Sequence, residues 1–374
     1  ILDAEAFRGG PQDGVAGERP RSLPGTRMKQ VTSGRHPSNA TYFLQQSFLP
    51  GDHDLMVISY QTGTPQIFEV SLDSGAMRQL TSGPGIHPFS AAQHPNQKDI
   101  VFTRRDSLCA VDRGTLQERV VTRCDGASIG ECSISPDGEF LTAAFRRGDE
   151  RGLLLARWDG GTAQTIAFPR TVIHPQFHPL DPAWIEFAGD PAPRMHRVKR
   201  DGSGLECLYQ HDNDEFVVHE TFLGQTGDLV FTVWPKRLCR MDWSTRRVST
   251  IAEFNAWHIA PDRAGERVLC DTNHPDTGIQ IVQVADGSRI AVCESKSSNR
   301  GSQWLTSRYA VKEDFDRARA GQGTSLSWME ADNDTVYGPQ CTHPHPSWSR
   351  DEKQIVFTSD YTGTPQVYVT EIPN

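Results

Sequence analysis

The sequence predicts an all-β fold, a seven-bladed β-propeller closed by an N-terminal strand that joins the last blade. Three observations point there: a repeat shared by the two ends of the chain, turn markers spaced by roughly 40–45 residues, and short apolar strands of period two between them. The repeat is Thr62-Gly63-Thr64-Pro65-Gln66-Ile67-Phe68 against Thr362-Gly363-Thr364-Pro365-Gln366-Val367-Tyr368, an offset of 300 residues. Each copy follows a turn and an apolar run, Asp54 to Ile58 in one and Lys353 to Thr358 in the other.

The turn markers are Pro50, Pro95, Pro136, Pro179, Gly224, Pro261 and Arg350, with successive gaps of 45, 41, 43, 45, 37 and 89 residues. Seven markers imply seven blades. The doubled last gap is assigned to an insertion at about residues 299–337, in which Ser307 to Arg319 reads as more helix-like than strand-like. After Arg350 the chain has room for only three strands, so the fourth must come from elsewhere. Met28-Lys29-Gln30-Val31-Thr32 resembles the outer-strand segment Arg78-Gln79-Leu80-Thr81, and pairing it there would close the ring and hide the sheet edges. The expected organisation is an N-terminal extension over residues 1–25 followed by one propeller domain over 26–374.

Composition narrows the partners. With 38 Lys and Arg against 47 Asp and Glu the formal charge is −9, which argues against nucleic acid or an anionic membrane as the main partner. Gly 32 and Pro 24 fit a turn-rich protein, and 17 Phe with 8 Trp supply bulky core filling. The eight cysteines are scattered with no C-x-x-C pair, as expected of reduced, mostly buried thiols. No stretch approaches the ~20 apolar residues of a membrane span, and Ile1 to Arg21 lack the order of a signal peptide. A cytoplasmic location is the expectation, with a removed signal peptide left open by a chain that starts at Ile1.

The chemistry emerges from counting back from each marker. His174, His219 and His345 each lie five residues before one (Pro179, Gly224 and Arg350) on the expected innermost strand. His343 lies seven before Arg350 and His258 three before Pro261, and strand alternation would put all these positions on one face. Innermost strands line a propeller's channel, so the five imidazoles are expected to converge there. In Gln340-Cys341-Thr342-His343-Pro344-His345-Pro346 two histidines at i and i+2 can reach one ion, with His258 and Gln340 completing the set. Imidazoles and a neutral oxygen suit Mn²⁺, Fe²⁺ or Zn²⁺ better than Ca²⁺. The blander reading is structural histidines hydrogen-bonded between strands. His87 lies eight residues before Pro95, out of register, and is expected as a rim contact or a plain loop residue.

At Cys341-Thr342-His343-Pro344-His345-Pro346-Ser347-Trp348, continuing through Asp351 to Asp360, the sequence resembles oligogalacturonate lyase, polysaccharide lyase family 22. The resemblance implies a seven-bladed propeller holding a manganese ion on three histidines and a glutamine, matching His258, His343, His345 and Gln340. It implies a catalytic base at His219 of His219-Glu220 and an arginine near the substrate carboxylate at Arg194 of Arg194-Met195. His174-Pro175 matches a further His-Pro, with substrate contact, ligand and core hydrogen bond as open roles for His174. The family's longer His-Glu-Gly-Pro loop before the arginine is shortened here to Ala188-Gly189-Asp190-Pro191-Ala192-Pro193.

The implied reaction is β-elimination on a uronate oligosaccharide. The C5 proton, alpha to an ionised carboxylate, is weakly acidic, so charge building on that carboxylate must be stabilised by the ion and Arg194 while a histidine takes the proton. Two other readings stand beside it: a lyase for a different uronate glycan, and a non-catalytic propeller, whose Ser135-Pro136-Asp137-Gly138 type of turn looks the same. Gly126-Ala127-Ser128-Ile129-Gly130 fits G-x-S-x-G, but a nucleophile elbow needs a strand before it and a helix after it, and here the chain runs on into another strand.

Overall fold

The computed structural model describes residues 21–22, 26, 28–161, 163–190, 192–212, 215–272, 275–298 and 342–372. Gln340, Cys341, the expected insertion at 299–337 and most of the expected extension at 1–25 lie outside them. The described residues form 29 strands in seven sheets, six of four strands and one of five. No helix among them is long and apolar enough to cross a membrane.

Each sheet is one blade. The first is β3 (Ser38–Ala40), β4 (Asp54–Ser59), β5 (Gln66–Ser71) and β6 (Met77–Gln79), antiparallel throughout. The last is β27 (Ser347–Trp348), β28 (Gln354–Ser359) and β29 (Gln366–Glu371), completed by β2 (Met28–Gln30). Met28 pairs with Thr370 and Gln30 with Tyr368, so the ring closes through the N-terminal strand. The terminal repeat explains why that strand fits. Thr81 donates its hydroxyl to Gln66 at 2.9 Å in the first blade, and Thr32 does the same to Gln366 at 2.7 Å in the last. In addition, β1 (Arg21–Ser22) lies parallel to β26 (Arg289–Cys293) on the sixth blade, so part of the expected extension belongs to a sheet.

Blades stack face to face, so both faces of a central strand are buried and its two alternating sets feed different cores. In β4, Leu55 and Val57 pack toward the last blade while Met56 and Ile58 pack toward the second. In β20 (Leu229–Trp234) all six residues are buried. Among the described residues an apolar cluster lies between each pair of neighbouring blades around the ring, and a further one of Val218, Trp234 and Trp257 joins the fifth blade to the sixth. Gly224 marks a contact between neighbours: at φ 56° it approaches the next blade so closely that a Cβ would stand 2.4 Å from the Asp262 carbonyl.

The turn markers hold with one correction. In the fifth blade Leu223, just before Gly224, donates its N–H to Asp228 across the turn. The equivalent bond in the sixth blade runs from Asp262 to Arg267, whereas Pro261 is still paired with Val268 inside β23 (Ala256–Pro261). The sixth marker is therefore Arg263. Proline ends the strand here instead of opening the turn, because the Asp262 carboxylate accepts the turn's Glu266 and Arg267 N–H groups. Ser128 lies in β11 (Ser128–Ile134), so the G-x-S-x-G match lies at a strand entry and no elbow forms.

Candidate functional site

Moving the sixth marker to Arg263 places His258 five residues before it, in the same register as His174, His219 and His345. Four consecutive blades thus carry histidine at one position. Strict alternation does not aim them. β15 (Thr171–Phe177), β19 (Phe216–Phe222) and β23 each contain a bulge, between Ile173 and Gln176, Val218 and Thr221, and Ala256 and Ile259. His174 and His219 adopt φ 55° and 54°, and His345 φ 44°. Such left-handed backbone costs a residue with a Cβ on the order of 1–2 kcal/mol, and it clusters where side chains must be re-aimed.

The rings meet at the axis. His258 lies 3.9 Å from His345, 4.4 Å from His219 and 5.4 Å from His343, centroid to centroid. His258, His343 and His345 can each offer one ligand nitrogen, all within 4.8 Å of one another. The residues fit a divalent ion on chemical grounds: the His345 Nε2 is buried without a hydrogen-bond partner, an arrangement a buried polar atom tolerates poorly. Asp271 organises two of the three. It accepts the His258 backbone N–H at 2.7 Å, the His258 Nδ1 at 2.8 Å and the His345 backbone N–H at 3.3 Å. A carboxylate behind a ligating imidazole sets its tautomer and direction. Burial pushes the Asp271 carboxyl up to about 8, opposed by these N–H donors.

His219 sits beside this triad in an apolar cradle. Trp257 meets its ring edge-on at 4.5 Å and Phe43 at 5.1 Å. Its Nδ1 is buried with no hydrogen-bond partner. Burial first, then the neighbouring His258, His174 and Arg194, hold the His219 imidazole well below its usual range, in the neutral form. The Trp257 Nε1 donates to the His343 Nδ1 at 3.4 Å.

Beside His219 lies a buried charge network. Glu220 accepts from the His174 Nδ1 at 2.8 Å and from the Arg194 Nε at 3.1 Å. Burial would raise the Glu220 carboxyl, but Arg194 and His174 outweigh it and hold it well below the usual carboxylate range. Gln176 bridges to Glu186, a second buried carboxyl whose Oε1 has no partner and which burial and Glu220 push well above its usual range. Arg194 immediately precedes β17 (Met195–Lys199), the partner of β16 (Trp184–Asp190), and is buried against Glu220. The shortened loop therefore still delivers an arginine, one whose Nε is held by Glu220.

The first blade contributes from across the ring. Between Ala40, paired with Val57, and Phe48, paired with Leu55, residues 41–47 stand opposite Met56 alone. This excursion carries Tyr42 and Phe43 to the axis. The Tyr42 ring lies 5.2 Å from His345 and stacks on Phe89 at 4.6 Å, and its hydroxyl bonds the His174 Nε2 at 3.0 Å. Gln45 reaches the Cys132 carbonyl of the third blade at 3.0 Å.

His174, His219, His258, His343 and His345 are thus brought together with Arg194. His87 is not part of the cluster; its ring contacts Phe89 at 5.9 Å, and Phe89 in turn contacts His345 at 6.2 Å. Burial lowers its pKa. Gln340 lies outside the described residues. Sequence reasoning missed Asp271, Tyr42, Phe43, Trp257 and Glu186. A buried Asp in an otherwise apolar run, Val268-Leu269-Cys270-Asp271, was the one legible signal among them.

Comparison with known proteins agrees with this architecture. The family model for oligogalacturonate lyase matches residues 157–374. An oligogalacturonate lyase of Dickeya dadantii is 23% identical over 94% of this chain and 95% of its own, and an oligogalacturonide lyase of Pectobacterium atrosepticum is 22% identical over 94% of each. A solved oligogalacturonate lyase in complex with manganese superposes with a TM-score of 0.78 at 20% identity, covering 94% of both chains, which is likeness of fold. The match spans more than half of the sequence and includes the histidine cluster from His174 to His345, and on that basis the chain belongs to the oligogalacturonate lyase family.

Proposed function

We propose that this chain cleaves uronate oligosaccharides of the oligogalacturonate type by β-elimination, leaving an unsaturated uronate. The observation that carries the reading is the triad His258, His343 and His345 with His219 against it. Gln340 is assigned as the fourth ligand. A bound Mn²⁺ supplies Lewis acidity at the substrate carboxylate, where charge builds as the C5 proton leaves, and neutral ligands keep the ion's charge available.

His219 is the assigned base. Its neutral, partnerless Nδ1 in a dry cradle suits proton abstraction, an effect worth roughly 10²–10⁴-fold in rate. Arg194 and His174 flank it and bind substrate, Arg194 through its guanidinium, and His87 is assigned to the rim.

The test is elimination itself. Protein with Mn²⁺, incubated with a panel of uronate oligomers, is expected to generate the ultraviolet absorbance of a conjugated double bond, and chelator is expected to abolish it. Silence across the panel with Mn²⁺ present overturns the lyase reading. His219→Ala is expected to remove turnover while metal content stays unchanged; loss of the metal instead would make His219 a ligand.

A further inference from the structure

Elimination breaks the C4–O bond and leaves an alkoxide, a poor leaving group unless a proton meets it. His219 is occupied as the acceptor of the C5 proton, and His258, His343 and His345 face the ion. Arg194 is held by Glu220. A donor must come from elsewhere in the axial cluster.

Tyr42 has the position and the connections. Its ring lies 5.2 Å from His345 and 6.3 Å from His258, so it borders the place where a carboxylate at the ion would set the sugar. Its hydroxyl is 3.0 Å from the His174 Nε2, and the His174 Nδ1 is 2.8 Å from the Glu220 Oε1. Hydroxyl, imidazole and buried carboxylate in line make a proton-transfer chain of the same logic as a hydrolase triad, run here toward the substrate. The chain is assembled from three blades' worth of sequence: Tyr42 from the excursion of the first, His174 from the fourth and Glu220 from the fifth. Backbone departures at both ends, residues 41–47 in the first blade and φ 55° at His174, are what bring the atoms into range.

We infer that Tyr42 is the proton donor to the leaving sugar, resupplied by His174 and Glu220; this rests on the elimination reading above. In the step, the C5–H bond breaks and its proton goes to His219. The electron pair forms the C4=C5 double bond, and the C4–O pair leaves with the glycosidic oxygen. That oxygen takes the Tyr42 hydroxyl proton, and the Tyr42 oxygen regains a proton from water through the His174 Nε2 as product leaves. Glu220 stays ionised and holds the His174 Nδ1 throughout. The proton taken up at His219 is returned to water, so one proton is released for the one drawn in.

The experiment uses Tyr42→Phe in the full chain with Mn²⁺, assayed on a uronate oligomer and on a uronate carrying 4-nitrophenoxide at C4, whose departure needs little help from a proton. Metal content and melting temperature equal to wild type are expected. Turnover of the oligomer is expected to fall on the order of 10²–10³-fold, with the deficit shrinking toward parity on the nitrophenyl substrate. Glu220→Gln, which replaces the carboxylate that holds the His174 Nδ1, is expected to show the same dependence on the leaving group. Wild-type turnover of the oligomer by Tyr42→Phe, an equal deficit on both substrates, or loss of metal would each overturn the proposal. If wild type eliminates from neither substrate, the lyase reading falls first, which separates the two failures.

Discussion

The propeller presents the same position to its axis seven times, five residues before each turn, and the ring divides there into two halves. The fourth to seventh blades place His174, His219, His258 and His345 at that position, whereas the first three place Gln45, Ser90 and Glu131. The sheets behind them are alike: four antiparallel strands, apolar on both faces and packed on neighbours by equivalent clusters. A repeated scaffold fixes where a side chain stands and leaves its chemistry to the individual repeat. The histidine half also carries the left-handed φ values at three of its four axial positions, while Gln45, Ser90 and Glu131 are not among the positive-φ residues. The first half contributes differently, by sending residues 41–47 across the axis, where Phe43 touches His174, His219 and His258.

If the division is functional, substitutions at equivalent positions should have unequal effects. The largest belongs to the ligand set. His258→Ala is expected to weaken Mn²⁺ binding by more than about 100-fold and to cost turnover on the order of 10³-fold, a few kcal/mol of charge stabilisation, as read by metal analysis and initial rates. Retained stoichiometric metal would remove His258 from the set. Asp271→Asn comes next: its amide can no longer accept from both His258 and His345 as a carboxylate does, and metal affinity is expected to drop roughly 10–100-fold with the fold intact. Full rate at saturating Mn²⁺ would fit this orienting role, and an unchanged affinity would contradict it. The smallest effect is expected at the equivalent position of the third blade. Glu131→Gln is expected to leave metal content unchanged and stability within about 1 kcal/mol, measured by thermal melting. A loss of metal comparable to that of His258→Ala would erase the distinction between the halves.

Much of this was legible before folding. Blade number follows from the spacing of turns, and the closing strand from the likeness of Met28-Lys29-Gln30-Val31-Thr32 to Arg78-Gln79-Leu80-Thr81: Thr32 and Thr81 each open the same Thr-Ser-Gly run, and each answers the glutamine of its repeat, Gln366 and Gln66. His343 and His345 sit in one short segment and need no tertiary information to be paired. His258 was found for a partly mistaken reason. Pro261 looks like a turn marker because proline usually punctuates, but here it is the last paired residue of its strand, and the true count makes His258 equivalent to His219.

The composition and periodicity of the chain were enough to determine a ring of seven similar sheets and a row of imidazoles on consecutive innermost strands, because both depend on local spacing and on period-two burial. Only the tertiary structure decided which of those imidazoles face one another, since a bulge or a residue at positive φ rotates a side chain off the face that alternation assigns it. It also decided the partners. Asp271 stands behind His258 on the neighbouring strand, and Tyr42, 132 residues from His174, reaches it across the axis. The Tyr42 contact is set by closure of the ring, and the Asp271 contact by the bulge that turns His258 toward its hairpin partner strand.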